Sequence, residues 1–339
     1  MKRKDTQGAR DRFDAVVLAG DRKASRKVKG KNKSLLVINN RAVICYVVEA
    51  LAGSRHINDI YVVGPKDRIE TALAAGGVAT LSKKIIVLEQ WDNIIENIWN
   101  GFLSTIPGYK PSTNPDSYRG TPHWDKVVLI LSGDIPLLTP YEIDEMIGKA
   151  DLAHYDYHPG TTSKDSLSYY YPQRRKKGSK KKRGIKHAYF HFKEGLVRQN
   201  NLHLGRPFAL ANKAYIEKMY EFRHQREWND IVKLAFEMLR TEKGSWKSLY
   251  YFVVLQLCML LSGMGLSPLS DRLRRLVSLH RQVEPTVGLI LGTRLRSVET
   301  TFGGAALDID SDYEFETIKA NFAEWMAHQK DLSERQDRN

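Results

Sequence analysis

The residues in this chain best placed to do chemistry are three aspartates and a lysine. LILSGDIPLLTP, residues 129–140, is an apolar run that breaks at Gly133-Asp134-Ile135-Pro136. That pattern sets the Asp134 carboxylate at the carboxyl end of a strand, in a turn fixed by a glycine and a proline. Mg²⁺ favours oxygen ligands, keeps several waters and typically takes one or two carboxylates beside substrate phosphates. Asp134 is placed to be such a ligand. The competing reading is a helix cap, but Thr139 before Pro140 already fills that role. Near the other end, GGAALDIDSDYEF places Asp308 and Asp310 in alternation with Leu307 and Ile309. Both carboxylates then project from one face of a strand, and either could complete a metal site with Asp134. Asp312 is placed to cap the final helix.

The lysine belongs to LAGDRKASRKVKGKNK, residues 18–33, where a strand ending in Ala19-Gly20 opens into a strongly cationic loop. Gly20 and Gly30 permit close backbone approach. Arg22, Lys23, Arg26, Lys27, Lys29, Lys31 and Lys33 supply charge that a triphosphate would neutralise. Neither GxGxxG nor GxxxxGK[ST] occurs, which argues against a dinucleotide fingerprint and a P-loop. A solvated surface loop is the alternative.

The elements that must position these groups follow from patterning. Short apolar runs at Phe13–Leu18, Ile60–Val63, Lys84–Leu88 and Lys126–Leu131 read as strands buried on both faces. Helical stretches at 41–53, 66–76, 92–104 and 140–149 alternate with them, which predicts βαβ units and a mostly parallel sheet. In such sheets ligands bind beyond the carboxyl ends of the strands. After residue 150 the text changes. ADLAHYDYHPG and HAYFHFKEGLVR read as strands, separated by an insert at 174–184 that packs eight Lys and Arg into residues 174–183. Residues 211–285 read as a helical insertion. RSVETTF and AALDID return to strand-like text within 286–328, closed by a helix near 312–327. Residues 1–12 read as a basic tail, 13–150 as the α/β half that carries the candidate triphosphate loop, and 151–210 as a further region before the helical insertion.

Composition sets the outer bounds. Over 339 residues, 42% hydrophobic and 10% aromatic content describes a globular chain with a substantial core. A net charge of +14 implies anionic partners: nucleotides, phosphorylated acceptors, nucleic acid or an anionic membrane surface. Cys45 and Cys258 sit in apolar helical patterns without metal-ligand spacing, so both read as core thiols in a reducing cytoplasm. The ten histidines show no convincing zinc spacing. No signal peptide is expected, because no apolar stretch follows the charged N-terminus. The apolar run at 250–266 is short for a bilayer span and predicts a buried helix, with an interfacial one left open by the basic DRLRRLVSLHR that follows.

LAGDRKASRKVKGKNKSLLVINNRAVICYVVEAL resembles the opening of the MobA-like nucleotidyltransferases, in which L-A-G leads through a Gly- and Arg/Lys-rich loop to K-x-L-L. GDIPLL is similar to the G-D-x-P-x-L metal-binding segment of that superfamily, and LDIDSDYE to its cytidylyl- and guanylyltransferase ending. The resemblance covers residues 13–150 and 286–326. It implies a GT-A-like, Rossmann-like α/β fold: a mostly parallel three-layer sheet of the nucleotide-diphospho-sugar transferase kind, with a helical insertion in the C-terminal half. It implies a Mg²⁺-dependent transfer of NMP from an NTP, CTP or GTP before ATP or UTP, to an anionic or lipid-linked acceptor. Leu18, Ala19, Gly20, Asp21 and Arg22 would wrap the triphosphate, and Gln90 and Asn97 lie where the superfamily carries its base loop and helix. Lys33 would stabilise charge on the α-phosphate, with Asp134 on Mg²⁺. Two departures stand out: Asp21 replaces a second glycine, and Asn32 replaces the proline before the signature lysine.

The middle of the chain is then expected to bind the acceptor. Arg198, Asn200, Asn201 and Arg206 offer a carboxylate or phosphate clamp. Asp156 belongs to an aromatic and polar cluster with His154, Tyr155 and Tyr157, typical of small-molecule pockets. A glycosyltransferase of related architecture is a second enzymatic reading, although GDIP supplies no D-x-D motif and Asp308-Ile309-Asp310 comes late. A third is an accessory anion-binding protein working through the 174–183 tract; that tract lacks interleaved aromatics, so no specific nucleic acid is expected. A peripheral membrane contact stays open.

Overall fold

The computed structural model describes residues 12–22, 27–78, 81–172, 183–212, 245–336 and 338. At its centre is β1 (Phe13–Leu18), whose residues 14–17 are all buried. It pairs in parallel with β4 (Ile57–Gly64) on one side and β6 (Val128–Ser132) on the other, and β5 (Ile85–Glu89) adds outside β4. Beyond β6, β9 (Leu196–Gly205) runs antiparallel both to β6 and to β7 (Tyr157–Ser163). β10 (Val298–Thr300) closes that edge in parallel with β7. The order is β10-β7-β9-β6-β1-β4-β5, with β8 (Phe190–His191) pairing off the end of β9. A separate two-stranded hairpin joins β2 (Val37–Ile38) to β3 (Arg41–Ala42).

Alternation along β1 sends side chains to two helical layers. Ala15 and Val17 share a core with residues of α1 (Val43–Gly53) and α4 (Pro140–Lys149). Val16 faces α3 (Ile94–Ser104), where a Cβ on Gly101 would lie 2.8 Å from Val16 Cγ1, so only glycine lets this helix settle on the strand. Around α3, Phe102, Val128 and Phe208 pack with Trp99 and Trp124, and the Trp124 and Phe208 rings stack 4.4 Å apart. α2 (Lys66–Ala75) connects β4 to β5. The closing helix α8 (Asp312–Gln336) contributes Phe315, Ile318 and Trp325 to a further core with Leu137, Leu307 and Ile309. These layers are the α/β architecture expected, and Thr139 caps α4 by accepting from Glu142 N–H.

Three expectations shift. AALDID is no strand: a 3₁₀ turn at Gly304–Ala306 leads into irregular backbone. Its amides bond elsewhere than to a neighbouring strand, Ala305 N–H to the Glu142 carboxylate and Ile309 N–H to the Asp134 carbonyl. Gly304 stacks so closely on the Leu137 carbonyl that a Cβ would lie 2.0 Å from its oxygen. The strand expected at 150–160 begins later, at Tyr157, after a turn in which His154 N–H bonds to the Asp151 carboxylate. The helical insertion is visible as α5 (Ser245–Gly263), α6 (Ser267–Arg274) and α7 (Glu284–Leu291); residues 213–244 and most of the basic insert lie outside the described residues. In α5, Val254 and Cys258 are buried, but Tyr250, Val253, Leu257 and Leu260 are exposed, so only one face of the apolar run is covered. No described helix is long and apolar enough to cross a membrane. Both cysteines are buried free thiols.

Candidate active site

The carboxyl ends of β1, β4, β5 and β6 meet around the loop after β1. Gly133 N–H donates to Leu18 O and Ala19 N–H to Val63 O, which draws three strand ends together. Asn32, at the position where the resemblance noted above expects a proline, fixes the backbone by hydrogen bonding. Its Nδ2 donates to Ala19 O at 2.8 Å, and its Oδ1 accepts from Ser34 N–H at 2.9 Å, starting a 3₁₀ turn at Lys33–Leu35. Lys33 is thereby held at the first position of that turn.

Lys33 Nζ lies 2.6 Å from Asp310 Oδ1 and 3.3 Å from Asp134 Oδ2. Burial alone would weaken this ammonium, but the carboxylates of Asp134 and Asp310 outweigh it and raise the Lys33 pKa above its ordinary value. Asp134 is further fixed by the Ser132 hydroxyl. Asp308 is buried and pairs with Arg198 Nη2 at 3.0 Å. Burial and the neighbouring Asp310 and Asp134 carboxylates push its carboxyl up to about 7, against the opposing pull of Arg198. The alternation read in LDID holds, because Leu307 and Ile309 are fully buried on the other side.

Two carboxylates aimed at one ammonium, with a third strained by their proximity, form a donor set that suits a small hard cation. Among the described residues no three His, Cys, Asp or Glu side chains form a preformed cage. Asp134 and Asp310 are the pair that converge on a single cation, whereas Asp308 is committed to Arg198.

Gln90 and Asn97 close the other side of the loop after β1. Gln90 Oε1 accepts from Asp21 N–H at 2.7 Å, and its Nε2 donates to Asp21 Oδ1 at 2.8 Å. Asn97 Oδ1 accepts from Trp91 N–H at 2.6 Å. A Cβ on Gly20 would come within 3.0 Å of Asn97 Nδ2 and 3.1 Å of Gln90 Oε1, so the backbone of this loop is open only because residue 20 is glycine. Asp21, the departure from a second glycine, also pairs with Arg68 at 2.9 Å. Part of the loop's charge is met within the protein: Arg22 pairs with Glu89, and Lys29 with Glu316. Lys23 and Arg26 lie outside the described residues.

The proposed acceptor residues separate. Arg198 is at the carboxyl end of the sheet, in the cluster. Asn201 Nδ2 donates to Ala305 O at 3.0 Å, holding the turn before Asp308. Asn200 is buried between Thr162 and Thr300, a structural tie between β7, β9 and β10. Asp156 and Arg206 lie at the opposite end, where Arg206 N–H bonds to Asp156 O and the Asp156 carboxylate takes Arg294 at 2.7 Å. Because β9 is antiparallel, its last residues return to the amino ends of the parallel strands. The structure therefore does not bring Asp156 and Arg206 to the carboxylates.

Two contributors were not read from the sequence. His187 interacts with Arg198 and Asp310; burial, then the Arg198 guanidinium, push its imidazole down to about 3. Its Nε2 and Arg198 Nε are buried without a hydrogen-bond partner. Glu142 is fully buried in α4 and receives Thr300 Oγ1 at 2.8 Å and Ala305 N–H at 2.9 Å, while Glu145 takes Thr301 N–H. These two carboxylates anchor the segment that delivers Asp308 and Asp310. No periodicity or motif marks either His187 or Glu142; the helical pattern of 140–149 explains only that Glu142 lies in a helix.

Comparison with solved structures shows a similar fold in a hypothetical transferase from Thermus thermophilus. It is 19% identical, the match covers 88% of this chain and 97% of that one, and the TM-score is 0.56. A 4-diphosphocytidyl-2C-methyl-D-erythritol synthase from Anaerococcus prevotii is 10% identical at a TM-score of 0.44, with 93% and 97% covered. A CMP:2-keto-3-deoxy-manno-octonic acid synthetase complexed with CTP is 12% identical at 0.43, with 92% and 99% covered. No curated protein matches the sequence. The MobA-like NTP transferase domain matches residues 15–237, about two thirds of the sequence. With that match laid over the loop after β1, Lys33 and Asp134, the chain belongs to the MobA-like NTP transferase family, a family of nucleotidyltransferases.

Proposed function

We propose that this protein is a Mg²⁺-dependent nucleotidyltransferase that moves NMP from an NTP to a phosphorylated or otherwise anionic acceptor and releases pyrophosphate. The observation that carries this is Lys33 Nζ set between the Asp134 and Asp310 carboxylates at the carboxyl edge of the sheet. In this reading the backbone around Gly20 and Asp21 receives the triphosphate, and Gln90 and Asn97 meet the base. CTP or GTP is favoured, because LDIDSDYE resembles the ending of cytidylyl- and guanylyltransferases.

An acceptor oxygen attacks the α-phosphorus in line, the new O–P bond forming as the bond to the β-phosphate breaks and pyrophosphate leaves with that electron pair. Catalysis of this kind is mostly positioning and charge stabilisation. Lys33 moves from its carboxylate partners to the α-phosphate oxygens. Asp134 and Asp310, so released, would hold Mg²⁺, which supplies Lewis-acid neutralisation of the phosphate oxygens. Arg198 and His187 have buried nitrogens without partners beside these carboxylates, which supports a role in holding the acceptor's anionic group. An acceptor that is already a phosphate needs no general base. Two buried free thiols support the cytoplasm as the place of action.

The test is pyrophosphate release with Mg²⁺ and each of the four NTPs, using pooled phosphorylated metabolites as acceptors, beside Asp134→Ala. Release with one NTP, lost in the variant, is the expected result. Release that survives Asp134→Ala would sink the assignment of this carboxylate, and silence with all four NTPs would sink the reaction.

A further inference from the structure

Nine of the thirteen exposed large apolar side chains among the described residues fall between Tyr250 and Leu289. Along α5 they are Tyr250, Val253, Leu257 and Leu260, followed in the turn by Met264: an unbroken three-and-four spacing that lines one face of a helix. The opposite face is not free to rotate into its place. Val254 and Cys258 pack on Phe192, Val197 and Val277, and the two helices are clamped to the β8–β9 hairpin. Ser270 Oγ meets His191 Nδ1 at 3.1 Å, and Arg274 Nη1 donates to Phe192 O at 2.9 Å.

The turn between α5 and α6 is equally unusual. Helix–helix turns in water are ordinarily polar, yet Met264 is 63% exposed and Leu266 and Leu269 follow it into solvent. Residues 245–270 contain no Asp or Glu at all. Exposed Arg272 and Arg275 stand just beyond, on a chain of net charge +14.

We propose that the exposed face of α5 and the α5–α6 turn form a docking surface for an anionic membrane, with Met264, Leu266 and Leu269 entering the headgroup region. Charge decides between this occupant and a second copy of the chain. Pairing two such surfaces brings two strongly cationic molecules together, whereas an anionic leaflet gains roughly 1 kcal/mol for each cation near it. No described helix is long and apolar enough to cross a membrane, so the contact proposed is interfacial. This surface is independent of the proposed reaction but is linked to its site by covalent neighbours. Val197 packs beneath α5, and the next residue, Arg198, holds Asp308.

The experiment is flotation of the full chain with vesicles of phosphatidylcholine alone or with phosphatidylglycerol, for wild type, Met264→Glu/Leu269→Glu and Arg272→Glu/Arg275→Glu. Met264 is in the turn, Leu269 and Arg272 are in α6 and Arg275 follows it, and all four are exposed, so thermal melting should be unchanged. Wild type is expected to float at least tenfold more with the anionic vesicles. Each double variant is expected to lose at least tenfold of that partitioning, and high salt to weaken the wild type. Absence of flotation, or flotation of Met264→Glu/Leu269→Glu at the wild-type level, would overturn the proposal. So would a sedimenting dimer that the same variant dissociates. Pyrophosphate release with a soluble acceptor should be the same in all three proteins, so failure of the docking surface and failure of the reaction are read separately.

Discussion

Lys33 Nζ lies 2.6 Å from a carboxylate near the end of the chain, Asp310, and 3.3 Å from one in its middle, Asp134. One ammonium thereby holds together parts of the protein that meet only in the finished fold. Replacing it with a neutral chain of similar length leaves the acidic cluster with Arg198 as its remaining close cation. Lys33→Met should lower stability by roughly 1–3 kcal/mol in metal-free buffer, since Asp134 is buried but Asp310 is half exposed. Millimolar Mg²⁺ should raise the melting temperature of this variant more than that of wild type, because bound cation then replaces the missing charge. Thermal melting with and without Mg²⁺ measures both; equal shifts would show that the carboxylates do not share a cation site.

Asp134→Asn keeps the size of the side chain and its contact with the Ser132 hydroxyl while removing the charge. Pyrophosphate release should fall by about 10³-fold, the scale of losing one charged contact to the reacting groups. NTP affinity should change only a few-fold, since the backbone around Gly20 is untouched. Steady-state rates set beside calorimetric NTP binding separate the two effects.

Gly20→Ala tests the nucleotide loop directly. Its Cβ would press on Asn97 Nδ2 and Gln90 Oε1 at 3.0 and 3.1 Å, distances that force one amide to give way. The expected outcome is a rise of about tenfold in the KM for the NTP with little change in kcat, the pattern of lost uniform binding. Gln90→Ala should show the same KM effect with reduced discrimination among the four bases, read from KM values for each NTP.

Glu142 gives a pH dependence of stability. Burial pushes its carboxyl from its ordinary value of 4.5 up to about 7. A group whose pKa is raised on folding favours the native state below its unfolded pKa and loses that contribution as pH climbs through the folded one. Wild type should therefore lose stability between pH 5 and pH 8 relative to Glu142→Gln, which does not titrate. The stability difference between the two should move in the variant's favour by on the order of 1 kcal/mol or more from pH 5 to pH 8. Urea denaturation at the two pH values checks it.

The sequence disclosed the half of the fold built from local patterns. β1 and α4 have the observed boundaries because one is a continuous apolar run and the other opens on Thr139-Pro140. The carboxylate turn at Asp134 was equally legible, since a glycine and a proline confine it. Asp308 and Asp310 are legible as residues but not as irregular backbone, because the amides beside them, of Ala305 and Ile309, bond to Glu142 and Asp134 instead of to a neighbouring strand, and such partners are set by tertiary contact alone. Arg206 is expected near the acceptor because it shares the LVRQNNLHLGRP stretch with Arg198, and Asp156 because it belongs to an aromatic and polar cluster. The reversal of β9 carries Arg206 to the far end of the sheet, where Asp156 stands just before β7, and strand direction is not encoded in composition. His187 stayed invisible for the same reason: only the folded chain sets it beside Arg198.

The Ile309 N–H to Asp134 carbonyl bond joins residues more than half the chain apart. A nascent polypeptide leaving the ribosome displays the nucleotide loop and Asp134 long before Asp310 is translated. On the proposed reading, a prematurely terminated product would hold nucleotide without turning it over. Competence arrives only once Asp310 has been made.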